Sequence, residues 1–200
     1  FFNSLSIDEA AQDIPNQRRR TRGHTYITSW DLAVAKDGDS SIGIVYDVTK
    51  LPIVVTEIRE LPKGTRQPDI MSEMKDMLEF YNCERFSCSA MMVFDATGMA
   101  GRMFRDDLAS LRPRPKDFDF AGSADKKLSI LKNAKTFFDK RWIVYPREAK
   151  RFTYEHKRYR RKDAKLETDT VMANAMCSHW ASRLLLPARG THLITQPITY

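Results

Sequence analysis

The spacing of apolar positions changes along this chain and divides it into elements. Thr25 to Asp31 reads Thr-Tyr-Ile-Thr-Ser-Trp-Asp, an apolar-rich run of strand length that ends on an acid. Ile42, Ile44, Tyr46 and Val48 alternate as in a half-buried strand, and Pro52 to Leu61 gives a third strand through Ile53-Val54-Val55-Thr56-Glu57-Ile58. Asp37-Gly38-Asp39-Ser40-Ser41 is a turn, since Gly and short polar side chains favour reversal. Short connections between three strands predict a β-meander. Beyond Pro62-Lys63-Gly64 the period lengthens, and Ile70, Met74, Met77, Leu78 and Tyr81 form the stripe of a helix over about residues 67–82. Ala90-Met91-Met92-Val93-Phe94-Asp95 is a buried strand, followed by a helix of about 99–111 that stops before Pro113 and Pro115. Phe118 to Ala121 is a short strand, and Ser123 or Asp125 caps a helix carrying Leu128, Ile130, Leu131 and Phe138. Trp142 to Tyr145 is the last strand, Arg147 to Arg161 reads as helical, and a final helix spans about 169–186. Residues 1–24 show no clear period and read as a linker or arm.

The order β-β-β-α-β-α-β-α-β-α-α implies an α/β fold with one mixed sheet and helices on both faces. An antiparallel three-strand start with parallel additions is the ribonuclease H-like layout. In it the first strand of the meander lies at the sheet centre, beside the strand that follows the first helix. Asp31 and Asp95 would then end adjacent strands, about 5 Å apart at their backbones. A carboxylate at the C-terminal tip of a buried strand is where α/β sheets place their chemistry. A third acid, Asp169, stands at the mouth of the last helix.

Taken singly, Asp31 reads as a turn residue, Asp95 as a cap for residues 97–99 and Asp169 as a helix N-cap. Taken together, they read as ligands of divalent metal, because three clustered carboxylates repel one another without cations. Two such ions about 4 Å apart supply a nucleophilic water and a stabilised leaving oxygen for phosphodiester cleavage. Mg²⁺ or Mn²⁺ suits this donor set, with Asp31 bridging two ions and Asp95 and Asp169 each binding one.

Composition bounds the picture. Two hundred residues, 42% hydrophobic and 30% charged, suit one ordinary domain with its own core. No apolar stretch reaches the roughly 18 residues of a membrane helix, and the N-terminus lacks the apolar core of a secretory signal. Cys83, Cys88 and Cys177 lack metal-ligand spacing and read as reduced thiols. The net charge is +7, and nearly all of that excess lies between Arg147 and Lys165, where nine Lys or Arg face three acids. That run is either a solvated face or a nucleic-acid contact. Tyr154 and Tyr159 within it are candidates for stacking on bases. Arg102 and Arg105 face phosphate or water with equal weight. His156 is expected at the surface of the basic run, His179 as a structural or surface residue, and Trp142 in the core.

These residues resemble a known family, the nuclease domain of the large terminase subunit of tailed phages. Trp30-Asp31-Leu32-Ala33 with Asp39 is similar to the family's first acid and its nearby second Asp. Phe94-Asp95-Ala96-Thr97-Gly98, with Gly101, Phe104 and Leu108, resembles the second acid and its helix. Ser123 to Ile130 with Lys126 and Lys127, then Ile143-Val144-Tyr145-Pro146, resembles the lysine segment and strand-Pro ending. Asp169-Thr170-Val171-Met172-Ala173-Asn174-Ala175 resembles the third acid with its Ala-rich helix. One departure is that many members carry His or Asp just before the third acid, where this chain has Leu166-Glu167-Thr168.

The resemblance implies a metal-dependent endonuclease that cuts double-stranded DNA with little sequence preference. It implies Asp31, Asp95 and Asp169 as catalytic metal ligands, with Asp39 and Glu167 as auxiliary acids. Lys126, Lys127, Arg158, Arg160 and Arg161 are then the expected DNA contacts. It further implies an ATPase domain N-terminal to this chain, with 1–24 as the linker that follows it and 25–200 as the nuclease domain. No Gly-x-x-x-x-Gly-Lys-Ser/Thr occurs in this chain itself. A portal, a small terminase subunit and the cytoplasm of an infected bacterium complete the implied setting. A Holliday-junction resolvase or transposase of the same layout, or a non-catalytic nucleic-acid-binding module, are the competing readings.

Overall fold

The computed structural model describes residues 1–33, 40–160 and 168–186. Its elements in chain order are α1 (Ser4–Ala10), β1 (Ala11–Gln12), β2 (Thr25–Asp31), β3 (Ser41–Asp47), β4 (Ile53–Leu61), α2 (Gln67–Tyr81), β5 (Ser89–Asp95), α3 (Gly98–Asp107), β6 (Lys116–Phe118), α4 (Ala124–Asp139), β7 (Ile143–Pro146), α5 (Lys150–Arg158) and α6 (Asp169–Leu185). A 3₁₀ turn, Glu84–Phe86, separates α2 from β5. The seven strands form one sheet in the order β1-β7-β4-β3-β2-β5-β6. The meander pairs β2-β3-β4 antiparallel, and every other pairing is parallel. The expected mixed sheet is therefore present, with β2 an interior strand between β3 and β5.

Each face of the sheet carries its own core. On one side Tyr26, Trp30, Met92 and Phe94 meet Ile70, Met74, Met77 and Leu78 of α2 and Phe104 of α3. On the other Ile27, Ile44, Tyr46 and Val93 meet α4, α5 and α6 through Leu131, Phe138, Phe152, Val171 and Met176. Because side chains alternate along a strand, Trp30 and Phe94 face α2 and α3, while Asp31 and Asp95 share the α6 side with Ser29 and Val93. Helices thus cover both faces, as the alternating pattern requires.

Residues 1–24 differ from the expected arm. Phe2, Ile7 and Ala10 are buried in the α6-side core, and β1 extends the sheet by pairing Ala11 with Tyr145. The rest of the segment is tied down along α2: Arg18 pairs with Asp76, and the Phe80 ring takes Arg18 and Arg20 at 4.2 and 4.4 Å. Smaller shifts from expectation are a β6 that begins at Lys116 and an α3 that ends at Asp107. Ser123 is the cap of α4, its Oγ accepting from Lys126 N–H at 3.3 Å. The three cysteines are free thiols. Among the described residues no helix is long and apolar enough to cross a membrane.

Candidate metal centre

The site forms where the parallel strands β2 and β5 end. Their register pairs Trp30 with Phe94, so Asp31 and Asp95 follow on adjacent strands. Asp95 continues to the β6 edge by pairing with Phe118, and its Oδ1 accepts the Thr97 N–H at 2.7 Å. That bond closes the turn into α3, which lies tight against the turn: a Cβ on Gly101 would sit 2.2 Å from the Ala96 carbonyl carbon. Only glycine admits so close an approach.

Helix α6 lies across the sheet and brings the third acid. Ser29 Oγ donates to the Ala173 carbonyl at 2.7 Å, and the His179 ring stands edge-on to Phe118 at 5.4 Å. One turn before Ala173, about 6 Å along the axis, Asp169 opens the helix above the ends of the meander strands. Asp169 is buried, and its Oδ2 accepts from Arg151 Nη2 at 2.6 Å. Thr168, the N-cap, makes no side-chain capping bond. The missing acceptor comes from α5 instead: Glu155 Oε2 takes the Thr170 N–H at 2.8 Å and the Thr170 hydroxyl at 2.7 Å.

The electrostatics tie the acids together. Burial pushes the Asp31 carboxyl well above the usual carboxylate range, and the charges of Asp95 and Asp169 push it further. The positive charge of Lys127 opposes this shift. The Asp31 side chain keeps some contact with solvent while protein crowds it on most sides. A carboxylate so placed has a use for a cation. Among the described residues, no three Asp, Glu, His or Cys side chains are gathered tightly enough to hold an ion. Asp95 and Asp169 are engaged instead by the Thr97 N–H and Arg151. The donor chemistry nevertheless fits a hard divalent ion, since the three acids offer only carboxylate oxygens.

The other expected residues divide. Lys127 is half-buried, and Lys126 is exposed with Nζ donating to the Asp119 carbonyl at 2.9 Å. Arg158 and Arg160 are exposed; Arg158 stacks on Tyr154 at 5.0 Å. Tyr154 is exposed, with one ring face taken by Arg158, whereas Tyr159 is buried in the core and cannot meet a base. Arg105 pairs with Asp117 at 2.7 Å and Arg102 donates to the Gly98 carbonyl at 3.2 Å, so Arg105 serves the β6 edge. Trp142 packs edge-on to Phe137 at the core margin. His156, expected at the surface, is fully buried: its neighbours Lys157 and Arg158 point outward, but its own position lies on the inward stripe of α5. Asp39, Arg161 and Glu167 lie outside the described residues. Arg151, Glu155 and Glu60 were not singled out from the sequence, although Arg151 and Glu155 stand at i, i+4 on α5.

No family model and no curated protein sequence matches this chain. Solved structures do. A large terminase nuclease from thermophilic phage G20c with bound magnesium aligns at a TM-score of 0.69 and 19% identity, covering 89% of this chain and 97% of that one. The same phage nuclease with bound zinc gives 0.64 at 20% identity, over 87% and 96%. The human cytomegalovirus terminase nuclease domain gives 0.63 at 9% identity, over 92% and 96%. The chain has their fold. Nearly the whole of each terminase nuclease domain is matched, so the ribonuclease H-like architecture expected from the strand order is present, from the meander to α6.

Proposed function

We propose that this chain is a divalent-metal-dependent endonuclease domain acting on double-stranded DNA with little sequence preference, the nuclease part of a viral terminase. The observation that carries the reading is that Asp31 and Asp95 end adjacent parallel strands while Asp169 opens α6, which packs on the same face of the sheet through Ser29 and Ala173. Support comes from the shared fold, since terminase nucleases of that fold are known with magnesium and with zinc bound. Asp31, Asp95 and Asp169 would hold Mg²⁺ or Mn²⁺, two ions in our reading, with Asp39 and Glu167 as auxiliary acids. Bound there, the ions would supply an activated water and neutralise charge on the leaving oxygen.

The chain's own residues do the rest. Lys127, whose charge acts on Asp31, offers a positive charge to a phosphate brought to the carboxylates. Lys126, Arg158, Arg160 and Arg161 hold the duplex by its backbone, which gives salt-sensitive binding without a base code. Residues 1–24 would lead from an ATPase domain, and the portal and small terminase subunit would be the partners in an infected bacterium.

Supercoiled plasmid incubated with the protein in Mg²⁺, Mn²⁺ or EDTA tests this. Nicking and degradation are expected with either ion, none with EDTA, and none with Asp31→Ala, whose fold should persist because removing one acid relieves repulsion. Intact plasmid in Mn²⁺ across a range of salt would remove the enzyme reading.

A further inference from the structure

The guanidinium of Arg151 stands at the junction of four elements. Its Nε donates to Glu155 Oε1 at 2.6 Å, its Nη1 donates to Ser40 Oγ at 2.6 Å and pairs with Glu60, and its Nη2 donates to Asp169 Oδ2 at 2.6 Å. Ser40 lies just before β3, Glu60 near the end of β4, Glu155 on α5 and Asp169 at the start of α6. Glu155 is almost wholly buried, and its second oxygen takes the N–H and hydroxyl of Thr170, the residue next to Asp169. One carboxylate therefore grips both the backbone beside Asp169 and the arginine that holds the Asp169 side chain. With its planar fork engaged in this way, Arg151 is poorly placed to serve as a phosphate contact.

We propose that Arg151 and Glu155 form a positioning relay that sets the orientation of the Asp169 carboxylate and thereby the affinity of the site for divalent metal. The inference rests on the metal-centre reading above and adds to it two residues that act through Asp169. Partners that orient a ligand are commonly worth 10- to 100-fold in metal affinity when removed. A guanidinium acting only as a charge would do the opposite, since its loss would leave the acids more negative and bind the cation more tightly. The two roles thus predict opposite signs.

Mn²⁺ binding to the whole chain, followed by calorimetric titration without DNA, separates them. Arg151→Gln is expected to weaken binding on the order of 10- to 100-fold. Glu155→Gln is expected to do the same for a specific reason. A Gln carbonyl can still accept from Thr170, so the start of α6 is kept, but the amide then points a donor at Arg151 Nε. The double variant should be no weaker than the worse single variant, because both break one relay. Arg151→Lys keeps the charge without the fork and should restore little. Unchanged or tighter binding in Arg151→Gln with the fold intact overturns the proposal, as do effects that multiply in the double variant or full rescue by Lys. If the wild-type chain itself binds no Mn²⁺, the metal-centre reading fails first and the relay falls with it.

Discussion

Helix α5 reaches α6 through His156, and acid should loosen that link by an amount the structure fixes. The ring is fully buried, its Nδ1–H donating to the Phe152 carbonyl at 2.7 Å and its Nε2 accepting from Asn174 Nδ2 at 3.1 Å. These partners define the neutral tautomer, and a second proton on Nε2 would face an amide that is itself a donor. Burial accordingly lowers the His156 pKa to about 4 from 6.5. The unfolded chain binds this proton more readily than the folded one, so the contribution to stability is fully present above pH 6.5 and is lost as pH falls toward 4. The whole shift corresponds to about 3 kcal/mol, of which about 1 kcal/mol disappears between pH 7 and 5.5. Ordinary carboxylates hardly titrate in that upper window, and the remaining histidines are common to wild type and variant. Urea unfolding in EDTA at pH 7, 6.5, 6 and 5.5, for wild type and His156→Gln, should show wild-type stability falling more steeply by about 1 kcal/mol over the range. Only the slopes are compared, so a lower starting stability in the variant does not matter. Parallel curves would refute the reasoning.

Three further outcomes are expected. Gly101→Ala should cost about 1–3 kcal/mol, because its Cβ would meet the backbone of Ala96 rather than a side chain that can move; a wild-type melting temperature would mean that α3 is not anchored as described. Asp31→Asn should melt higher than wild type at pH 7 in EDTA, since burial, Asp95 and Asp169 raise the Asp31 pKa and its stabilising, protonated form is lost as pH rises. That gain should shrink to nothing below the unfolded carboxylate pKa, and a lower melting temperature for Asn at pH 7 would contradict it. Neutralising Arg158, Arg160 and Arg161 together should flatten the salt dependence of DNA binding by up to about 0.9 per lost phosphate contact; an unchanged slope would make the run a solvated face.

Asp31 and Asp95 were legible in the sequence because each closes an apolar run of strand length, and strand ends in an α/β sheet leave few places for such an acid. The start of α6 was legible for a similar reason, a polar stretch giving way to Val171-Met172-Ala173. The N-terminal elements were not. Helix α1 buries Ile7 and Ala10 but leaves Leu5 exposed, so its seven residues give too short a pattern to show a period. The two residues of β1 form a strand only because β7 offers an edge to pair with. Such pairing is a property of the assembled sheet and has no local signature.

The basic segment hid more, and the reason is instructive. Phe152, Glu155, His156 and Tyr159 stand at i, i+3, i+4 and i+7, and all four are buried. The helical stripe was present in the sequence, but two of its members are polar and its neighbours are Lys and Arg, so charge concealed the period. A stripe of that kind can be buried only against a surface that answers it atom for atom, because an unmatched buried polar group is costly. Helix α6 supplies the answer one turn apart: Thr170 donates to Glu155, and Asn174 to His156. Apolar side chains would tolerate a small slide of α6 along α5, whereas these two bonds would both break. The polar seam therefore fixes the register of α6, and Asp169, one residue before Thr170, takes its height above Asp31 from it. Sequence periodicity can find the acid; its placement depends on a seam that a hydrophobicity pattern reads as solvent-exposed.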